Sequence, residues 1–113
     1  METKIALIGT GGTIAGKGTS NTDLTGYTAG VLGLDKILAS VPGTKPYGPY
    51  TYTQFSNIES SDITVNHWLE LSKLVQKLVN RDDIGGVVIT HGTDSMEETA
   101  YFLNLTVHTD KPI

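Results

Sequence analysis

Val87–Asp94 reads Val-Val-Ile-Thr-His-Gly-Thr-Asp, an apolar β-branched run that breaks into a small polar turn and is followed at once by a helix start. Continuous apolar residues of this kind predict a strand covered on both faces, and Gly85-Gly86 marks its beginning. Thr90, His91, Gly92, Thr93 and Asp94 then collect hydroxyls, an imidazole and a carboxylate at the strand's carboxyl end. In open α/β sheets that end is where ligands bind.

The segments around this run alternate in type. Lys4–Ile8 is short and apolar and predicts a first strand, ending in the turn Gly9-Thr10-Gly11-Gly12-Thr13. Residues 16–27 are rich in Gly, Thr, Ser and Asn, long and polar enough to act as a lid over a site. Val31, Leu34, Ile37, Leu38 and Val41 recur at helical spacing within residues 29–41, and Pro42-Gly43 stops that helix. After the Pro- and Gly-containing residues 44–50, Thr51–Asn57 alternates as a second strand, and Ile58–Asp62 forms a third polar turn with Asp62 placed to cap the next helix. Val65, Trp68, Leu71, Val75, Leu78 and Val79 make an amphipathic stripe. Ser95-Met96-Glu97-Glu98 is a capping-box pattern opening a last helix to about Leu105. Strands alternating with helices imply parallel pairing by right-handed crossovers, hence an α/β, Rossmann-like, doubly wound and mostly parallel sheet.

Thr109-Asp110-Lys111-Pro112-Ile113 reads as a turn about to feed a fourth strand. Residues 1–113 are therefore expected to be the amino-terminal part of a longer α/β catalytic domain, with a carboxyl-terminal domain absent. Composition narrows the function classes. A net charge of −4 without any basic block argues against nucleic acid as a partner. The absence of cysteine removes disulfides and cysteine-based zinc sites, and His67, His91 and His108 lack metal-ligand spacing, so no metal or other cofactor is expected. No apolar run approaches the roughly 20 residues of a membrane span, so no membrane partner is expected either.

The glycine-rich turn after the first strand invites a nucleotide reading, because such turns let backbone N–H groups approach phosphates. Its spacing disagrees. Counted from Gly9, the sixth position of a dinucleotide fingerprint is Ile14; counted from Gly11, the third is Thr13. A phosphate loop from Gly11 through Gly16-Lys17 places Gly18 where a magnesium-binding hydroxyl is needed. The other reading is that Gly11 and Gly12 bend the chain so that Thr13 offers its hydroxyl to a site. There Tyr27 of the lid and the Thr93-Asp94 pair could exchange protons with it. The bland alternative, in which Thr13 merely ends a strand and Asp94 merely caps a helix, stays open on these residues alone.

Taken together, Gly9-Thr10-Gly11-Gly12-Thr13-Ile14-Ala15-Gly16 and Ile89-Thr90-His91-Gly92-Thr93-Asp94 resemble the two signatures of bacterial L-asparaginases, the family that includes the glutaminase-asparaginases. The likeness continues through Tyr27-Thr28-Ala29-Gly30, Val41-Pro42, residues 97–103 and Asp110-Lys111-Pro112. It implies hydrolysis of the side-chain amide of L-asparagine, to L-aspartate and ammonia, through an acyl-enzyme, and leaves open whether L-glutamine is also cleaved. By resemblance Thr13 is the nucleophile, Tyr27 the lid tyrosine that handles its proton, and Thr93 with Asp94 the second catalytic pair, Asp94 also binding the substrate's α-ammonium. Ser60 matches the serine that binds the α-carboxylate, within a substrate-binding set that takes in Glu59, Ser61 and Gly92. Glu59 stands where the family usually has a small residue, and Ser61 where it has Gln or Glu. The resemblance further implies a homotetramer for the full-length protein. The likeness is closer to the secreted branch than to the cytoplasmic one, implying a periplasmic location, although the residues themselves also allow a cytoplasmic one. A catalytic lysine and the acidic residue of a second domain fall after Ile113 in the family, so residues 1–113 alone are expected to be inactive. The rival class is a non-catalytic amino-acid-binding or regulatory domain of the same fold.

Overall fold

Ile5 to Ile8 offer apolar side chains to both sides of a strand, which suits them to the middle of a sheet. A computed structural model, which describes residues 2–12 and 34–113, has them there. The strand β1, Lys4–Gly11, lies between β2, Tyr50–Ile58, and β3, Ile84–Thr90, in the order β2-β1-β3, both pairings parallel. It is longer than its apolar run predicts, because Gly9 still pairs with Gln54 and Thr90 on either side and Gly11 with Ile58. Main-chain pairing continues after the hydrophobic signal ends.

Helix α1, Leu34–Ala39, precedes a 3-10 turn over Pro42–Tyr47; α2, Val65–Val79, joins β2 to β3; and α3, Met96–Thr106, follows β3. The predicted order of elements is the observed one. Residues 29–33 of the first predicted helix, and the predicted lid at 16–27, lie outside the described residues. No helix among the described residues is long and apolar enough to cross a membrane.

The amphipathic stripe of α2 buries Leu71, Val75, Leu78 and Val79 against Ala6, Ile8, Ile84 and Val87 of the sheet and Leu103 of α3. At about 1.5–3 kcal/mol for each large aliphatic side chain fully buried, this layer dominates the core. Trp68 and Phe102 add a stacked pair between α2 and α3, with ring centroids 5.7 Å apart. On the opposite face of β3, Val88 is 50% exposed. The predicted two-sided burial therefore holds for Val87 and not for Val88.

Three local predictions are corrected. The N-cap of α2 is Thr64, not Asp62: the Thr64 hydroxyl accepts from the His67 N–H, and the Thr64 N–H donates to His67 Nδ1 at 2.9 Å. Asp62 is held instead in a 3-10 turn over Ser60–Asp62, its N–H bonded to the Glu59 carbonyl. Gly85 and Gly86 lie inside β3 rather than before it, where Val87 donates its N–H to the Pro112 carbonyl. The capping box at α3 is not made, because the Ser95 side chain makes no bond to its own helix.

Candidate functional site

A parallel sheet of order β2-β1-β3 has a topological switch point. The chain moves one way from β1 to β2 and the other way to β3, so the order reverses between β1 and β3, and in sheets of this kind a crevice opens between the carboxyl ends of the two strands at that point. The turns after β1 and β3 border that crevice, and the turn after β2 joins them.

Backbone contacts draw the turns together. Gly12 has φ +83°, and a Cβ on it would lie 2.5 Å from Gly92 Cα, so only glycine fits at that meeting of two turns. A Cβ on Gly92 would in turn fall 2.7 Å from Ser60 Oγ. Gly12 donates its N–H to the Ile58 carbonyl at 2.8 Å, fastening the first turn to the second. One layer lower, the Thr10 hydroxyl donates to the Thr90 carbonyl at 2.6 Å and the Ser56 hydroxyl to the Thr10 carbonyl at 2.8 Å. Side-chain hydroxyls thus tie all three strands just beneath the turns.

Of the residues singled out by sequence, Ser60 is buried at 5% exposure and Gly92 is buried beside it. Glu59, Ser61, Thr93 and Asp94 are exposed at the rim. The side chains of Thr93 and Asp94 make no hydrogen bond among the described residues. Thr13 and Tyr27 lie outside the described residues; Gly12, which directly precedes Thr13 in the chain, is fixed between Ile58 and Gly92. Neither Lys nor Arg occurs in residues 57–62 or 90–95, so an anion held by these two turns is met by hydroxyl and amide donors.

His91 does not face the crevice as a free base. Its Nδ1 lies 2.6 Å from the Gly92 carbonyl, an acceptor, so that nitrogen carries the proton; its Nε2 then accepts from the Thr99 hydroxyl at 2.8 Å. Thr99 itself accepts from Trp68 Nε1 at 2.8 Å. The line Trp68, Thr99, His91, Gly92 is satisfied at every atom and fixes the carbonyl that precedes Thr93. Sequence reasoning missed Thr99, although a buried hydroxyl one helical turn before the core residue Leu103 marks it. It also missed the part of Ser95, which bonds Ser60 rather than capping α3.

No group of His, Cys, Asp or Glu among the described residues could hold a metal ion. An ion pair between Arg81 and Asp83 lies away from the crevice, just before β3. There Arg81 clasps Asp83 at 2.9 and 2.7 Å, and this hydrogen bonding holds the Asp83 carboxyl below its ordinary range.

Residues 4–113 match the family model described as "Asparaginase, N-terminal". A glutaminase-asparaginase of Pseudomonas aeruginosa is 49% identical over 96% of this chain and 30% of its own length. For L-asparaginase 2 of Bacillus subtilis the figures are 46%, 96% and 29%. The crystal structure of a probable cytoplasmic L-asparaginase from Campylobacter jejuni superposes with a TM-score of 0.83 at 47% identity, over 90% of this chain and 31% of that one. The chain thus spans about three tenths of the length of these relatives. With its parallel α/β sheet in common with that fold, the chain belongs to the asparaginase family, whose amino-terminal domain residues 4–113 match.

Proposed function

We propose that these residues form the amino-terminal part of an L-asparaginase and carry most of one amidohydrolase site. The observation that supports this reading most is the contact of Gly12, Gly92 and Ser60 at the switch point. It brings the turn leading to Thr13, the Thr93-Asp94 turn and a buried serine hydroxyl within the span of one amino acid. A free amino acid bears its ammonium and carboxylate on one carbon, so its binding groups must come from adjoining turns. Asp94 serves the ammonium and the Ser60 hydroxyl the carboxylate, with Glu59, Ser61 and Gly92 bordering them.

In this reading Thr13 Oγ attacks the side-chain amide carbon. The C–N bond breaks, the threonine proton leaves with the nitrogen as ammonia, and a β-aspartyl ester remains on Thr13. Water then attacks the ester, returning the proton to Thr13 and releasing L-aspartate. Tyr27 and the Thr93-Asp94 pair move the protons, together with a lysine that the family supplies later in the chain. The Pseudomonas relative's name extends the proposed substrates to L-glutamine. Assembly as a homotetramer is part of the same proposal. The Campylobacter relative is described as cytoplasmic, so the likeness to the secreted branch is not carried over into a location.

Acid-quenching the full-length enzyme during turnover and sequencing the peptides by mass spectrometry tests the acyl-enzyme. An aspartyl ester on the peptide bearing Thr13 is expected; an ester on another residue, or saturable asparagine binding with no turnover, contradicts it. Residues 1–113 alone are expected to release no ammonia from asparagine, because the lysine and the second domain's acidic group lie elsewhere in the family.

A further inference from the structure

The hydroxyl of Ser95 occupies the N-cap position of α3 and yet makes no capping bond there. It donates instead to the Ser60 carbonyl at 2.7 Å, while the Ser95 N–H donates to Ser60 Oγ at 3.3 Å. The Ser60 carbonyl also accepts from the Ile63 N–H at 3.3 Å, so both of its lone pairs are engaged, one within the 3-10 turn and one by Ser95. The helix forgoes its own cap, and the hydroxyl joins two loops from different strands.

We propose that the Ser95 hydroxyl is a positioning group that holds the Ser60 turn, and with it the substrate-binding hydroxyl of Ser60, in place. The inference rests on the reading of Ser60 as the α-carboxylate ligand. A serine hydroxyl has one proton and two lone pairs. Because Ser95 N–H can only donate, Ser60 Oγ must accept there, and its own proton is left with no acceptor among the described residues. Ser60 is almost fully buried and its Oγ lies against Gly92, so that proton is available to a carboxylate at the crevice. Ser95 directly follows Asp94, so its two hydrogen bonds to Ser60 tie the ammonium-binding turn to the carboxylate-binding turn. Ser95 itself does not touch the substrate; it fixes the distance between the two groups that do.

Steady-state kinetics of the full-length enzyme with asparagine test this with Ser95→Thr, which keeps the hydroxyl, and Ser95→Val, which has nearly the same shape without it. Ser95→Ala, which adds no methyl group, is read beside them in case the valine protein does not fold. Ser95→Thr is expected to keep the wild-type KM. Ser95→Val and Ser95→Ala are expected to raise KM roughly three- to tenfold, the worth of one hydrogen bond, with kcat within about twofold. On a Ser60→Ala background the same substitutions are expected to add nothing further, since they act through Ser60. Unchanged KM in both hydroxyl-free variants, a loss that adds in full to Ser60→Ala, or a fall in kcat alone would overturn the proposal. A wild-type enzyme without turnover, or Ser60→Ala with unchanged KM, defeats the reading of the site and the inference with it. Weakened binding in Ser60→Ala with none in Ser95→Val or Ser95→Ala defeats the inference alone.

Discussion

Gly12 and Gly92 meet backbone to backbone: a Cβ on Gly12 would stand 2.5 Å from Gly92 Cα and 2.6 Å from its nitrogen. The turn leading to Thr13 and the turn leading to Thr93 therefore share one contact. Gly12→Ala must both hold φ +83° with a side chain and push the turns apart. The conformational part alone costs about 1–2 kcal/mol. A displacement of about 1 Å at such a contact is expected to lower kcat/KM about a hundredfold in the full-length enzyme. Thermal unfolding and asparagine kinetics read the two effects separately, and an alanine protein with wild-type kinetics would show that the contact does not position the site.

Helix α2 begins with a reciprocal bond between Thr64 and His67. Thr64→Ala is expected to destabilise by about 1 kcal/mol, as loss of an N-cap does. Asp62→Ala, at the residue that sequence pattern favours as the cap, is expected to stay within about 0.5 kcal/mol. Urea denaturation of both variants checks the order, and a larger loss at Asp62 would restore it as the cap.

Thr99→Val keeps shape and removes the hydroxyl shared by Trp68 and His91. Leaving the indole N–H and the imidazole nitrogen without that partner is expected to cost about 1–3 kcal/mol. The indole of Trp68 loses its acceptor in the same variant, so its emission is expected to shift. Unchanged stability together with unchanged emission would show that the line of bonds is not maintained in solution.

The Arg81 guanidinium holds the Asp83 carboxyl low. A lowered folded-state value means that the pair's stabilising contribution is present above the unfolded aspartate value and is lost as pH falls through the folded one. Carboxyl NMR titration is expected to find Asp83 below the ordinary aspartate range and to see it rise in Arg81→Ala. No change in that variant would remove Arg81 as the cause. The pair is partly exposed, and its contribution to stability is correspondingly small.

The periodicity of Val65–Val79 and the apolar runs at Ile5 and Val87 made the fold readable, since burial writes directly onto sequence spacing. The three turns that meet at the switch point were legible as the places where strand-like runs end in Gly, Thr, Ser and Asp. What sequence spacing did not reveal is which donor meets which acceptor. Asp62 and Thr64 are both plausible caps by residue type, and the geometry of the 3-10 turn decided between them. Ser95 satisfies the capping pattern, yet Ser60, 35 residues away in sequence, competes for its hydroxyl and wins. Such pairings depend on tertiary placement, which local patterns do not encode.

The proposed role of Thr13 as nucleophile is tested by ammonia release from asparagine by full-length wild-type and Thr13→Ala enzymes. Removal of a nucleophile is expected to reduce kcat at least about a thousandfold while the folded protein still binds aspartate. A Thr13→Ala enzyme that hydrolyses asparagine at a rate close to wild type would remove Thr13 as the nucleophile.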